Sequence, residues 1–237
     1  MNGSPLEQLA GGLVVSCQAP PGSPLRRPDV MAAMAQAAEQ AGAVAIRAEG
    51  PADITAIRGA CSLPIIGIRK QFGGTSDVFI TATMRDVTEV VDAGADIVAV
   101  DGTLRPRPDG GSTAEFLDRV LAVGVPVMAD VDSAAAASAA AAQGVHLIAT
   151  TLAGYTSGGG PAPTTPDIDL ITRIRSAVPD VRVVAEGRYS TPDDLADAFA
   201  AGAYAVVVGT AITDTLDLAR RFAHRTPLLQ AASERGR

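Results

Sequence analysis

Four stretches of the chain share one phrase: EQAGAVAI at 39–46, VDAGADIVAV at 91–100, AAQGVHLIAT at 141–150 and AAGAYAVVVG at 200–209. Each reads as a helix end, a glycine, a turn of small residues and the start of an apolar strand. The glycine supplies a left-handed stop that residues with a Cβ adopt only under strain. A phrase used four times implies one structural unit repeated along the chain.

Working outward, short β-type runs recur over the whole length. They are GLVVSC from Gly12, AVAIRA from Ala43, PIIGIR from Pro64, DIVAVD from Asp96, VPVMAD from Val125, HLIATT from His146, VRVVAE from Val181 and AVVVGT from Ala205. Each is apolar on nearly every residue, the pattern of parallel strands covered on both faces rather than of a half-wet antiparallel sheet. Helical stretches such as PDVMAAMAQAAEQAG, TMRDVTEVVDAG, SAAAASAAAAQG and TPDDLADAFAAGA alternate with them. Eight such units predict an α/β protein built as a single (β/α)8 TIM barrel over residues 1–237, with a core of about 12–222 and a frayed tail at 223–237. An open, doubly wound sheet is the alternative, but such sheets rarely need eight similar strands. VFITAT from Val78 reads as an irregular extension after the third strand, because too few residues separate it from Ile68 for a crossover helix. TSGGGPAPTTPDIDL from Thr156 reads as a mobile loop over the functional face.

The charge balance is 19 Lys+Arg against 26 Asp+Glu, a net −7. Nucleic acid and anionic membrane both call for a concentrated positive footprint, which this composition does not provide. A phosphorylated small molecule remains compatible, because a few amides and one or two cations hold it. Cys17 and Cys61 form no paired framework, and no basic segment followed by a long apolar one opens the chain, so a reduced cytoplasmic protein is expected. Alanine-rich helix faces permit a homodimer.

A parallel barrel places its chemistry where strands end and the following loops begin. Polar residues collect there: Gln18; Arg47 and Glu49; Arg69 and Lys70; Asp101, Thr103 and Arg105; Asp130; Thr150 and Thr151; Glu186 and Arg188; Gly209 and Thr210. Lys70 is the candidate base, since burial beside a cation such as Arg47 or Arg69 lowers an amine's pKa and supplies a neutral fraction. Glu186 is its candidate partner for moving a proton to or from a sugar oxygen; pairing with Arg188 or Arg47 is the purely structural alternative. Asp130 orients either a substrate hydroxyl or Lys70. Asp101 and Asp130 end neighbouring strands but have no histidine close by, so Asp101 is equally explained by pairing with Arg105 or Arg107, and no metal is assigned. Gly187, Gly209 and Thr210 offer amides and a hydroxyl to a phosphate. Neither a Walker sequence nor GxGxxG after the first strand is present, and no organic cofactor is expected.

The phrases SCQAPPGSPL, IRAEG, PIIGIRK, DGTLRPRP, MADVDS, ATTLAGYT, VVAEGR and VVVGTAIT, in this order from about Gly12 to Phe222, resemble the N-acylglucosamine-6-phosphate 2-epimerase family, also called N-acetylmannosamine-6-phosphate epimerase. The resemblance implies a cofactor-free TIM-barrel isomerase of amino-sugar catabolism. It implies Lys70 and Glu186 as catalytic residues, with Gln18, Arg47 and Asp130 on the substrate; Thr150 and Arg188 join that binding set from their rim positions. The chemistry implied is loss of the proton at C2 of the open-chain sugar and its return on the other face. One departure is visible at 211–215, where the family reads AITRP and this chain reads AITDT. An anion at Asp214 is unfavourable beside a phosphate, so Arg188 becomes the candidate substitute, or the sugar carries no phosphate there. A second, milder departure is Ala82 in ITAT, where the family reads ITPT. Two other readings remain open at this point: a Schiff-base aldolase or lyase using Lys70, and a non-catalytic sugar-phosphate-binding barrel.

Overall fold

A computed structural model describes residues 3–71, 76–156 and 163–229. Eight parallel strands close on themselves in sequence order: β1 (Gly12–Cys17), β2 (Ala45–Glu49), β3 (Ile65–Ile68), β4 (Ile97–Asp101), β5 (Val127–Asp130), β6 (Leu147–Ala149), β7 (Arg182–Glu186) and β8 (Ala205–Val208). The β1–β8 pairing, from Gly12 opposite Ala205 to Val15 opposite Val208, completes the ring. The expected (β/α)8 barrel is the observed one.

A short helix α1 (Pro5–Gln8) precedes the barrel. The strands are followed in turn by α2 (Pro28–Gln40), α3 (Pro51–Arg58), α4 (Met84–Asp92), α5 (Thr113–Leu121), α6 (Ala134–Ala142), α7 (Ile168–Ala177) and α8 (Pro192–Ala200), then by α9 (Thr210–Thr213) and α10 (Thr215–Ala223) after β8. Their starts follow from local chemistry: Thr83, Ser112 and Thr191 each cap a helix whose third residue, Asp86, Glu115 or Asp194, bonds back to the cap amide. The alanines of α6 give it high helix propensity but no amphipathic stripe; Ala136, Ala137 and Ala140 are buried simply because small residues let the helix lie close to the sheet. Such close approach is enforced at Gly67 in β3, where a Cβ would stand 2.4 Å from Val90 and 2.7 Å from Ala95.

Side chains alternate across each strand. One set packs outward against the helices: Val15, Cys17, Ile46, Ala48, Val98, Val100, Val183 and Ala185 belong to this layer. The other set fills the barrel: Val14, Ala45, Ile66, Ile68, Ile97, Ala99, Met128, Leu147, Ala149, Val184, Ala205 and Val207. Leu6 and Leu9 join this inner set, so α1 and the residue after it close the lower end of the barrel. The Tyr204 hydroxyl donates to the Leu6 carbonyl at 2.8 Å, and the Gly11 amide donates to the Tyr204 carbonyl at 2.8 Å. Each buried leucine contributes on the order of 2 kcal/mol.

The VFITAT run forms no strand. Lys70 and Ile80 make an isolated antiparallel bridge, and the chain returns past the end of β3. Thr81 there has a φ of 45°, a region that β-branched residues seldom occupy. The strain is held by two bonds to one residue: the Thr81 amide donates to the Arg69 carbonyl at 2.6 Å, and the Arg69 amide donates to Thr81 Oγ1 at 3.1 Å. The backbone immediately before Lys70 is thereby fixed. The glycine-rich segment expected as a loop falls largely on 157–162, outside the described residues, as does the end of the tail from 230.

Candidate active site

Continuing the inward alternation to the carboxyl ends of the strands and just beyond defines the site. Ala45 leads to Arg47 and Glu49, Ile68 to Lys70, Ala99 to Asp101, Met128 to Asp130, Ala149 to Thr151, Val184 to Glu186, and Val14 to Ser16 and Gln18. These residues meet above the apolar filling of the barrel. A cavity of about 990 Å3 opens there, with Gln18, Arg47, Glu49, Lys70, Thr151 and Glu186 in its wall.

Arg47 organises the floor. Its side chain is 1% exposed, and its Nη1 and Nη2 donate to Asp130 Oδ1 and Oδ2 at 3.1 and 2.6 Å. Nη1 also lies 2.8 Å from Glu186 Oε2. Burial opposes a charge on Arg47, but the two carboxylates outweigh burial and hold the guanidinium ionised. Asp130, fully buried, therefore stands behind the wall and orients Arg47.

Lys70 has its pKa lowered, first by burial and then by the charge of Arg47; Glu186, Glu49 and Asp130 oppose the shift. Of the two neighbours considered from sequence, Arg47 is the one that acts on it. Arg69 is 41% exposed and faces Glu49 and Glu89 at 3.9 and 3.8 Å. The Lys70 amide donates to Glu49 Oε1 at 3.1 Å, and Glu49 in turn faces Arg26 at 3.2 Å.

Glu186 has its pKa pushed up to about 7. Burial is the main cause; Asp130 adds to it, while Arg47, Lys70 and, when its hydroxyl is turned to donate, Thr151 act against it. Glu186 and Lys70 thus influence each other electrostatically and share one cavity. They come from β7 and the end of β3, four strands apart in a ring of eight, and so from opposite walls.

The expectation for Thr150 is corrected. It is 2% exposed, and its hydroxyl donates to the Glu186 carbonyl and accepts from the Glu186 amide, both at 3.0 Å. The residue facing the cavity is its neighbour Thr151, whose hydroxyl lies 2.7 Å from Asp130 Oδ1 and 3.2 Å from Glu186 Oε2. The period-two alternation from Leu147 and Ala149 was the signal available in the sequence.

Gln18 donates to Ser16 Oγ at 2.7 Å, while its Oε1 is buried in the cavity wall with no hydrogen-bond partner among the described residues. Asp101 accepts from the Thr103 amide and hydroxyl and from Arg105 at 2.6 Å, which is the pairing with Arg105 considered from the sequence. Among the described residues no group of three or more His, Cys, Asp or Glu is arranged to hold a metal ion. Ala82 is buried and its carbonyl accepts from Arg107 at 2.6 Å.

At the mouth, Gly187, Arg188, Gly209, Thr210, Asp214, Asp217 and Arg221 line the same cavity. Arg188 adopts a positive φ of 65°, and its Nε and Nη1 donate to the carbonyls of Thr165 and Ala153 at 2.7 and 2.8 Å. Those acceptors are neutral, so its charge persists at the rim. Asp214 is the N-cap of α10, accepting from the Asp217 amide at 3.0 Å. Arg220 and Arg221 occupy the last turn of that helix, where cations complement its dipole. No helix among the described residues is long and apolar enough to cross a membrane.

Comparison with known proteins points one way. Residues 31–227 match a family described as "Putative N-acetylmannosamine-6-phosphate epimerase". A Shigella dysenteriae protein named "Putative N-acetylmannosamine-6-phosphate 2-epimerase" is 50% identical over 203 residues, covering 86% of each chain. A Cutibacterium acnes protein of the same name is 49% identical over 210 residues, 88% of this chain and 90% of that one. The solved structure of the N-acetylmannosamine-6-phosphate 2-epimerase from Clostridium perfringens matches with a TM-score of 0.88 at 37% identity, covering 93% of this chain and 96% of that chain.

Proposed function

The chain belongs to the N-acetylmannosamine-6-phosphate epimerase family, and from that premise we propose that it interconverts N-acetylmannosamine 6-phosphate and N-acetylglucosamine 6-phosphate by removing the C2 proton and returning it on the opposite face. The observation that carries this reading is the approach of Lys70 and Glu186 to one cavity from opposite walls. A proton acceptor on one face of a carbon and a donor on the other invert it directly, and groups on opposite walls can reach both faces.

The aldehyde of the open-chain sugar acidifies C2–H. Lys70, with its pKa lowered by burial and by Arg47, has a neutral fraction able to take or return that proton. Glu186, raised to about 7, changes protonation near neutral pH and assists ring opening or proton return. Arg47 and the ammonium form of Lys70 provide positive charge where an enolate oxygen develops. Gln18 Oε1, buried without a donor among the described residues, suits an N–H of the substrate.

The phosphate is read at the β7–β8 mouth, where Gly187, Gly209 and Thr210 line the cavity and Arg188 and Arg221 supply the cations. A homodimer is supported by α10, which buries none of its residues and leaves Phe222 78% exposed. Proton NMR in heavy water, with phosphorylated and unphosphorylated N-acetylmannosamine side by side, tests the activity. Wash-in of deuterium at C2 with formation of the epimer is the expected result. A borohydride-stable adduct on Lys70, or binding with no C2 exchange, overturns it.

A further inference from the structure

Thr151 Oγ1 sits between two carboxylates, 2.7 Å from Asp130 Oδ1 and 3.2 Å from Glu186 Oε2. A hydroxyl has one proton to give and lone pairs to receive with, so it donates to only one of them at a time. Asp130 is 0% exposed and held by both terminal nitrogens of Arg47. Its carboxylate, at the shorter distance, accepts the Thr151 hydrogen bond. The lone pairs of Oγ1 then face Glu186.

That orientation treats the two forms of Glu186 differently. An ionised Glu186 meets a lone pair and gains no hydrogen bond from Thr151. A protonated Glu186 donates its O–H to Oγ1 and completes a chain running from Glu186 through Thr151 to Asp130. No proton crosses the hydroxyl; the Thr151 proton stays toward Asp130 throughout. The charged groups facing Glu186 are Arg47 from β2, Asp130 from β5 and Lys70 from beyond β3, with Glu49 acting on Lys70 from the end of β2. Arg47 and Lys70 favour ionised Glu186, and Asp130 opposes it; a Thr151 hydroxyl turned toward Glu186 would also favour the ionised form, but its single proton lies on the shorter 2.7 Å contact to Asp130 rather than the 3.2 Å one.

We infer that Thr151 is a positioning residue that, with its proton committed to Asp130, stabilises the neutral carboxyl of Glu186 and so keeps a proton donor on the β7 wall. This rests on the reading of Glu186 as a proton carrier in the epimerisation. It also distinguishes Thr151 from a residue that merely fills space, because a space-filling role is indifferent to the protonation of its neighbour.

The test follows the Glu186 carboxyl directly, by carbon NMR of protein labelled at the glutamate side-chain carboxyls, with the signal assigned by its loss in Glu186→Gln. Thr151→Val preserves the shape and removes the hydroxyl; Thr151→Ala is the second variant should valine disturb folding, which a thermal melt reports. In both, the Glu186 midpoint is expected to fall by roughly one pH unit, the weight of one buried hydrogen bond. Thr151→Ser is expected to restore it. A midpoint that rises means the hydroxyl donates to Glu186 instead, and an unchanged midpoint means it does neither; either result overturns the inference. Full C2 exchange in Glu186→Gln would remove the functional reading while leaving the titration result intact, so the two failures are told apart.

Discussion

Arg47 and Asp130 close on each other through two parallel contacts, at 3.1 and 2.6 Å, with the arginine side chain 1% exposed and the aspartate fully buried. Two charges this deep are sustained by one another, by Glu186 beside Arg47 and by their remaining hydrogen bonds. Removing Arg47 leaves Asp130 without its cation, and removing Asp130 leaves Arg47 with Glu186 alone. Arg47→Met or Asp130→Asn alone is therefore expected to cost roughly 3–5 kcal/mol of stability, and the double variant to lose much less than the sum. Denaturant melts of the four proteins measure the cycle, and simple additivity would show the pair to be energetically independent.

Lys70 is expected to tolerate no permanent cation. In Lys70→Arg the guanidinium cannot release its proton at any working pH, so the neutral fraction disappears. Deuterium wash-in at C2 should drop by about a thousandfold or more, while the substrate still raises the melting temperature. Loss of the substrate-induced shift as well would mean that Lys70 serves binding rather than proton transfer.

Glu186 carries a stability signature. Its folded pKa of about 7 lies above the ordinary 4.5, so the folded state holds a proton that the unfolded state has released between these values. The group's contribution is fully present below 4.5, declines as pH rises, and is gone above about 7. Glu186→Gln, which stays neutral, should be more stable than the parent at pH 8 by something on the order of 3 kcal/mol and little different at pH 4. Thermal melts at the two pH values decide it; a parent that gains stability toward pH 8 relative to the variant contradicts the assigned shift.

Asp214 both caps α10 and brings a negative charge to the cavity mouth. Asparagine caps a helix about as well and is neutral. Asp214→Asn is expected to leave the melting temperature nearly unchanged and to lower KM for the phosphorylated sugar by roughly threefold at low salt, the benefit shrinking as salt screens the charge. Arg221→Ala should raise the same KM. Equal effects on phosphorylated and unphosphorylated substrates would place the phosphate elsewhere.

The architecture was legible because parallel strands buried on both faces leave an unmistakable apolar run, and the repeated helix–glycine–strand phrase gave their order. The rim was legible for the same reason: whatever follows such a run stands at the carboxyl end of a strand. Which of two adjacent rim residues turns inward depends on strand parity carried past the strand's end, and there Thr150 was read in place of Thr151. Asp214 was read by its charge alone, although the sequence DTLD at 214–217 already carries a capping residue with an acid three positions on. The helix at Pro5–Gln8 was readable in the same way, from Ser4 before a proline and Glu7 after it. The engagement of Arg47 with Asp130 was beyond sequence reasoning, because it joins residues 83 positions apart across the barrel.

The leucines of α1 and its cap give the barrel a sealed base, and the base decides how protons travel. With Leu6 and Leu9 stoppering one end, the cavity meets bulk water at its mouth, and a sugar seated there would stand between that water and the barrel floor. On the proposed reaction, a proton lifted from carbon would then have mainly the surrounding side chains for company until the sugar leaves, so the hydrogen returned in each turnover would reflect how quickly Lys70 and Glu186 are rinsed between visits.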